Sequence, residues 1–374
     1  MANDDAKLSG APVVPVAPGP TPPLWRRVLP VALALAIGAG GGFLFDWLRL
    51  PLPWMLGAMS AVTVAALAGA KVRVPRPLRN GTTPVIGVLL GASFTPDVIA
   101  GMVAWPITLI GILIWVLTCG GSAYLWFRHV AGYDKATAYF SATPGGFMEM
   151  ILIAERHGGN MQIMPLIHAT RVLIVVFAIP FWYRFTADIP PMPPGSRVGF
   201  LDVQVFDYVL LISSAVVGAL IARRLRIPAA LLVGPMVLSA GLHLADVTAS
   251  KPPFVLVAMA QVVLGSMVGT RFVGASLWAL RATAGHAIIT AVFMLLMTVL
   301  FANVLSAMTG FPTSAVVLAF APGGLAEMSL IALALHVDAA FVAGHHALRL
   351  CFVIMVASPL FRWLMRSDPQ EPDT

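Results

Sequence analysis

Thr143-Pro144-Gly145-Gly146-Phe147-Met148-Glu149-Met150 recurs as Ala321-Pro322-Gly323-Gly324-Leu325-Ala326-Glu327-Met328, a shift of 178 positions. The same shift lays His168, Ala169 and Arg171 on His346, Ala347 and Arg349, and Gly87, Gly91 and Phe94 on Gly265, Gly269 and Phe272. With a small gap, Pro53, Gly57 and Met59 fall on Pro228, Gly234 and Met236. A chain that repeats itself so far is a duplication. Its halves are read as 25–185 and 205–365, with a Pro-rich, disordered tail at 1–24, a connecting loop at 186–204 and a short tail at 366–374.

The solvent of both halves follows from composition. Of 374 residues 59% are apolar and only 10% charged, against about 25% charged in an ordinary soluble domain. Apolar runs long enough to cross a bilayer fall near 28–45, 53–70, 103–127, 161–183, 206–222, 228–245, 254–270, 283–305 and 337–361. Lipid is therefore the expected surrounding. The net charge of +7 is spread between these runs, which makes it an orientation signal rather than a nucleic-acid patch. Cys119 and Cys351 both sit in apolar runs without C-x-x-C spacing, so neither a disulfide framework nor a cysteine metal site is expected. The first residues carry no basic region ahead of an apolar stretch, and so do not read as a cleaved signal.

Charge placement differs between the halves. Lys71, Arg73, Arg76 and Arg79 follow the second run, whereas the matching loop after 245 offers Asp246 and Lys251. One loop earlier the bias reverses, with Arg223, Arg224 and Arg226 opposite a stretch holding only Arg49. Basic loops stay cytoplasmic, so corresponding loops lie on opposite sides, the signature of inverted repeats. An even number of crossings must separate loops 71–79 and 223–226, yet five candidate segments lie between them. The segment that fails to cross is read as 136–157, a re-entrant pair of short helices with 313–335 as its twin; a broken helix that crosses is the alternative. The expected fold is an all-α polytopic membrane protein of about ten transmembrane helices plus two such segments, with both termini cytoplasmic.

Pro breaks the helical hydrogen-bond ladder and Gly-Gly lets backbone approach a ligand. Bare backbone at membrane depth is tolerated only inside protein or beside a water-filled cavity. Pro144, Gly145, Gly146, Pro322, Gly323 and Gly324 are thus candidate binding positions, or else packing kinks. Glu149 and Glu327 fall in the first turn after each break, where a carboxylate can carry a proton, bind a cation, or serve as the N3 partner of a capped helix. His168 with Arg171, and His346 with Arg349, share one helical face. Each Arg can hold an anionic solute or neutralise a buried Glu. His345 reads as a satisfied core histidine, and Met148, Met150, Met161 and Met164 as packing. Glu155 and His157 face Leu333 and Leu335 in the second half, so the halves need not be equivalent. The G-x-x-x-G spacing of Gly87 with Gly91 and of Gly265 with Gly269 suits close helix packing and hints at a homodimer.

The two Pro-Gly-Gly-x-x-Glu-Met segments, the His-Ala-x-Arg pair and the duplication over 25–365 resemble a known family, the duplicated Gram-negative membrane proteins called AbrB. Members are labelled as membrane regulators of gene expression or as ammonia monooxygenases. The residues favour neither chemistry. A DNA reader needs a soluble basic module, and a copper or iron oxygenase needs clustered ligands, but no H-x-x-x-H or E-x-x-H spacing occurs. The expectation is an inner-membrane secondary transporter of a small polar or anionic solute, coupled to H⁺ or Na⁺, with no cofactor, no metal, no catalytic residue and no nucleic-acid partner; a membrane regulator is the alternative. Reporters fused after Arg79, Arg128 and Arg226 should read cytoplasmic, and one after Lys251 should read the opposite side. A cytoplasmic reading at Lys251 removes the inverted arrangement.

Overall fold

A computed structural model describes residues 24–186, 198–275 and 277–366, and these fold into helices with no strand among them. The readings made for the chain before residue 24, for 187–197 and for the chain after 366 fall outside the described residues. The first half runs α1 (Leu24–Trp47), α2 (Pro53–Leu67), α3 (Arg76–Gly91), then α4 (Pro96–Gly101), which passes through a 3-10 turn into α5 (Trp105–Leu125). Two short helices follow, α6 (Lys135–Ala142) and α7 (Phe147–Glu155), and then α8 (Ile163–Thr186). The second half repeats the order as α9 (Val205–Arg224), α10 (Ala230–Leu244), α11 (Phe254–Gly269), α12 (Leu277–Thr309), α13 (Thr313–Phe320), α14 (Leu325–Ala334) and α15 (Ala339–Arg366).

Among the described residues seven helices, α1, α4–α5, α8, α9, α11, α12 and α15, are long and apolar enough to cross a membrane, and α2, α10 and α14 are shorter apolar helices. Their outward faces carry exposed Ile110, Ile114, Leu117, Val209, Ile212, Leu296 and Leu300, as a lipid-facing surface requires. Every apolar run in the sequence coincides with a helix. Composition hides one helix, α3. Its first two turns hold Arg76, Arg79, Asn80, Thr82 and Thr83, and its buried residues all lie in the second part, from Pro84 to Gly91.

The Pro-Gly-Gly segments fold back on themselves. The Asn160 backbone N–H donates to Thr137 Oγ1 at 2.8 Å, and the His157 ring stacks on Phe140 with centroids 5.7 Å apart. The chain leaving α7 thus returns to the start of α6, making a hairpin, and α13 packs on α14 in the second half. With 8 and 9 residues, each arm rises only about 12–14 Å, roughly half the hydrocarbon thickness.

Glycines bind the two halves together. Gly41 of α1 packs backbone to backbone on Gly57 of α2, and Gly218 of α9 does the same on Gly234 of α10. Between halves, Gly87 of α3 abuts the Leu232 carbonyl of α10, while Gly265 of α11 abuts the Met55 carbonyl of α2. In the register that lays Gly57 on Gly234, Met55 falls on Leu232, so one contact is made twice. Gly91 against the Met236 carbonyl and Gly269 against the Thr63 backbone N extend both seams. These glycines are occupied within the chain. A shared core adds Trp115, Phe127, Phe140, Phe320 and Phe341, all fully buried.

Gly57→Val should lower the thermal midpoint of the detergent-solubilised protein, because its side chain would meet Gly41 backbone; the cost is about 3 kcal/mol or more. Gly40→Ala, with open space around its Cβ position, should be neutral or slightly stabilising.

Candidate functional site

A helix that stops at Pro inside a membrane leaves its last carbonyls without donors. Here the donors come from the His-x-x-Arg pairs. Thr143 is the C-cap of α6, and from α8 the His168 Nε2 donates to the Phe140 carbonyl at 3.1 Å. Arg171 NH1 donates to the Ser141 carbonyl at 3.3 Å, and NH2 to the Thr143 carbonyl at 3.5 Å. The second half repeats the device more tightly. His346 Nε2 meets the Leu318 carbonyl at 2.9 Å, Arg349 NH1 the Ala321 carbonyl at 2.7 Å, and NH2 the Gly323 carbonyl at 2.8 Å.

Each pair also locks itself. Arg171 NH2 lies 2.8 Å from His168 Nδ1, and Arg349 NH2 lies 2.9 Å from His346 Nδ1. Arginine is always a donor, so Nδ1 accepts and Nε2 carries the proton, leaving both rings neutral. His168, Arg171, His346 and Arg349 are at most 5% exposed. Of the two readings for Arg171 and Arg349, the ion pair with Glu149 or Glu327 is not formed among the described residues. His345 is satisfied, with Nδ1 on the Phe341 carbonyl and Nε2 on Thr108 Oγ1, each at 2.8 Å.

The second glycine of each motif has its own reason. Gly146 and Gly324 are the N-caps of α7 and α14, with Glu149 and Glu327 in the first turn, as the capping reading expected. Each carboxylate folds back over its glycine, and a Cβ there would collide with Glu149 Oε2 or Glu327 Oε2. The reciprocal capping bond is not made among the described residues, so helix polarity alone favours these carboxylates. The third and sixth positions of Pro-Gly-Gly-x-x-Glu are therefore coupled by space.

Both tips open into one cavity of about 320 Å³. Its wall takes Gly145, Gly146, Glu149, His168 and Arg171 from the first half and Pro322, Gly323, Gly324, Glu327, His346 and Arg349 from the second. Of the twelve expected site residues, Pro144 alone turns away, into a smaller apolar pocket beside Gly120 and Tyr139. The cavity also takes Arg79, which sequence reasoning used only as an orientation mark, with Thr83 from α3, and Arg271 from the 3-10 turn Thr270–Phe272 that follows α11. Ala229–Leu232 at the start of α10 complete it. Arg271 lies over the Phe147 ring at 3.6 Å. Glu155 and His157, the expected source of asymmetry, do not line it. The side chain of Met148 is outside the described residues, and Met150 and Met164 are packed in the core.

Arg349→Ala should destabilise the protein by about 3 kcal/mol or more, because buried carbonyls lose their donors. Glu327→Gln should change stability by no more than about 1 kcal/mol, and thermal unfolding in detergent compares the two.

Residues 54–365 match the family model described as "Transition state regulatory protein AbrB". The chain is 26% identical over 362 residues to "Uncharacterized protein YhjN" of Bacillus subtilis (strain 168), covering 91% of this chain and 94% of that protein. It is 24% identical over 351 residues to "Putative regulator AbrB" of Escherichia coli (strain K12), covering 92% of this chain and 98% of that protein. The match spans both hairpins, both His-x-x-Arg pairs and the helices around the cavity, and the chain belongs to the AbrB family.

Proposed function

We propose that the protein is a secondary transporter of the bacterial inner membrane, built from two inverted halves with both termini cytoplasmic. It carries a small polar or anionic solute through the cavity between the hairpin tips. The observation that carries this reading is the convergence of both breaks, both glutamates and both His-x-x-Arg pairs on one cavity. In this reading Glu149 and Glu327 exchange a proton or cation with solution. The arginines hold the tips in place and set the local potential.

The cavity's asymmetry supports alternating access. The duplicated residues line it from both halves, but Arg79, Thr83, Ala229–Leu232, Leu264 and Arg271 line it from one side only. The register of the repeat gives their counterparts as Val257, Gln261, Leu52–Met55, Ile86 and Ser93, and none of these faces the cavity. Leu52, Met55, Ile86 and Val257 are buried instead. One entrance is therefore open and its counterpart packed shut. Two such states, exchanged by moving one half against the other, make a carrier. The open entrance lies among the basic segments, which makes it the cytoplasmic one under the positive-inside rule.

The family description and the name of the Escherichia coli relative suggest a second reading, a membrane protein that senses a solute and affects gene expression. Flux distinguishes the two. Proteoliposomes holding the purified protein should accumulate one solute class from a panel of organic anions, amino acids and ammonium under an imposed proton or sodium gradient. Glu149→Gln or Glu327→Gln should abolish the gradient-driven component. Saturable binding without flux, for any solute under either gradient, would favour the sensor.

A further inference from the structure

The charges around the cavity fall into two sets. Arg171, Arg349, Glu149 and Glu327 are carried by the repeat and balance one another, and His168 and His346 are neutral in their hydrogen-bonded form. The remaining charged wall residues among those described are Arg79 and Arg271. The repeat gives these two no charged counterpart, since their matching positions are Val257 and Ser93. The whole positive excess therefore comes from one unmatched pair. The wall thus carries four arginines against two glutamates, an excess of two positive charges that an anion would offset.

Three further observations favour an anion. The N-termini of α7 and α14 open into the cavity, and the α10 N-terminus joins them behind Ala229, whose side chain cannot cap it. Arg171 Nε is buried without a partner even though NH1 and NH2 are engaged. Arg271 rests on the Phe147 face beside Glu327, so its guanidinium lies on the cavity wall. Much of the remaining wall is apolar, with Val172, Leu231, Leu232, Leu264, Leu325 and Leu350. A hydrated inorganic anion gains nothing from such a wall, whereas an apolar body between two carboxylates uses both surfaces.

We propose that the cavity binds an organic dianion, a short-chain dicarboxylate, whose two charges are matched by Arg79 and Arg271. The inference rests on the cavity being a solute site and adds its specificity. The test uses the full-length protein in detergent and measures the thermal midpoint against succinate, glutarate and adipate. Butyrate supplies one carboxylate, sulfate an inorganic dianion, and putrescine a dication. A dicarboxylate should raise the midpoint saturably and bind about tenfold or more tighter than butyrate or sulfate, with no effect of putrescine. Arg79→Gln and Arg271→Gln should each weaken it about tenfold or more. Arg281→Gln, exposed and outside the cavity, should not.

Retention of the unliganded midpoint shows that a variant is folded. If one glutamine variant fails that check, the other and Arg271→Lys carry the test, and the lysine variant should keep the preference for two carboxylates. Equal binding of butyrate or sulfate, absence of dicarboxylate binding, or full binding by the folded glutamine variants overturns the proposal. Dicarboxylate binding without flux would remove the transporter reading and leave this site standing. Flux of another solute with no dicarboxylate binding would do the reverse.

Discussion

A helix interrupted inside a bilayer exposes carbonyls that lipid cannot satisfy, and the architecture around the cavity follows from how this chain meets them. Each His-x-x-Arg pair reaches from a long helix to the carbonyl end of a short one, so hairpin and long helix are fixed as one body. Histidine accepts from the arginine and donates to a carbonyl, and arginine spreads its remaining donors over the last turn. The opposite end of the break is left bare. Its amides and its glutamate face the cavity, and the glycine between them keeps room for the carboxylate. One structural obligation, met on one side of the break, leaves the other side available for a solute.

The surrounding helices divide the work differently. Helices α2, α3, α10 and α11 form the seams between halves, where glycine brings backbones into contact and Ser239 Oγ donates across to the Val88 carbonyl. Such seams have little volume to rearrange, so motion is easier for the bodies they join than within the seams themselves. Polar groups concentrate at the start of α3 and the end of α11, where these helices leave the seam and reach the cavity. Packing and chemistry thus occupy successive turns of the same elements.

Much of this was legible in the sequence. The membrane class, the nine apolar runs and the helix break within 136–157 follow from hydropathy and self-comparison. Eleven of the twelve expected site residues meet in one cavity because the repeat marks positions under common constraint. The rest was hidden for definite reasons. The α3 helix was obscured because its first turns are polar, and that polarity belongs to the cavity wall. Arg79 and Arg271 read as loop charges because orientation alone explained them, and a search for similarity between halves passes over residues that differ. The capping role of Arg171 and Arg349 depends on backbone carbonyls, which no sequence displays; their charge suggested glutamate as the partner instead.

The contact of Gly87 with α10 and that of Gly265 with α2 are the same contact with the halves exchanged. That reciprocity is the mark of an isologous interface, here enclosed within one polypeptide. Each half on its own carries both surfaces of the seam, and a second copy of itself would complete it. Two identical half-length chains would therefore make this seam twice. Arg79 and Arg271, opposite Val257 and Ser93 in the register of the repeat, are charges that one polypeptide carries once and a pair of identical chains would carry twice.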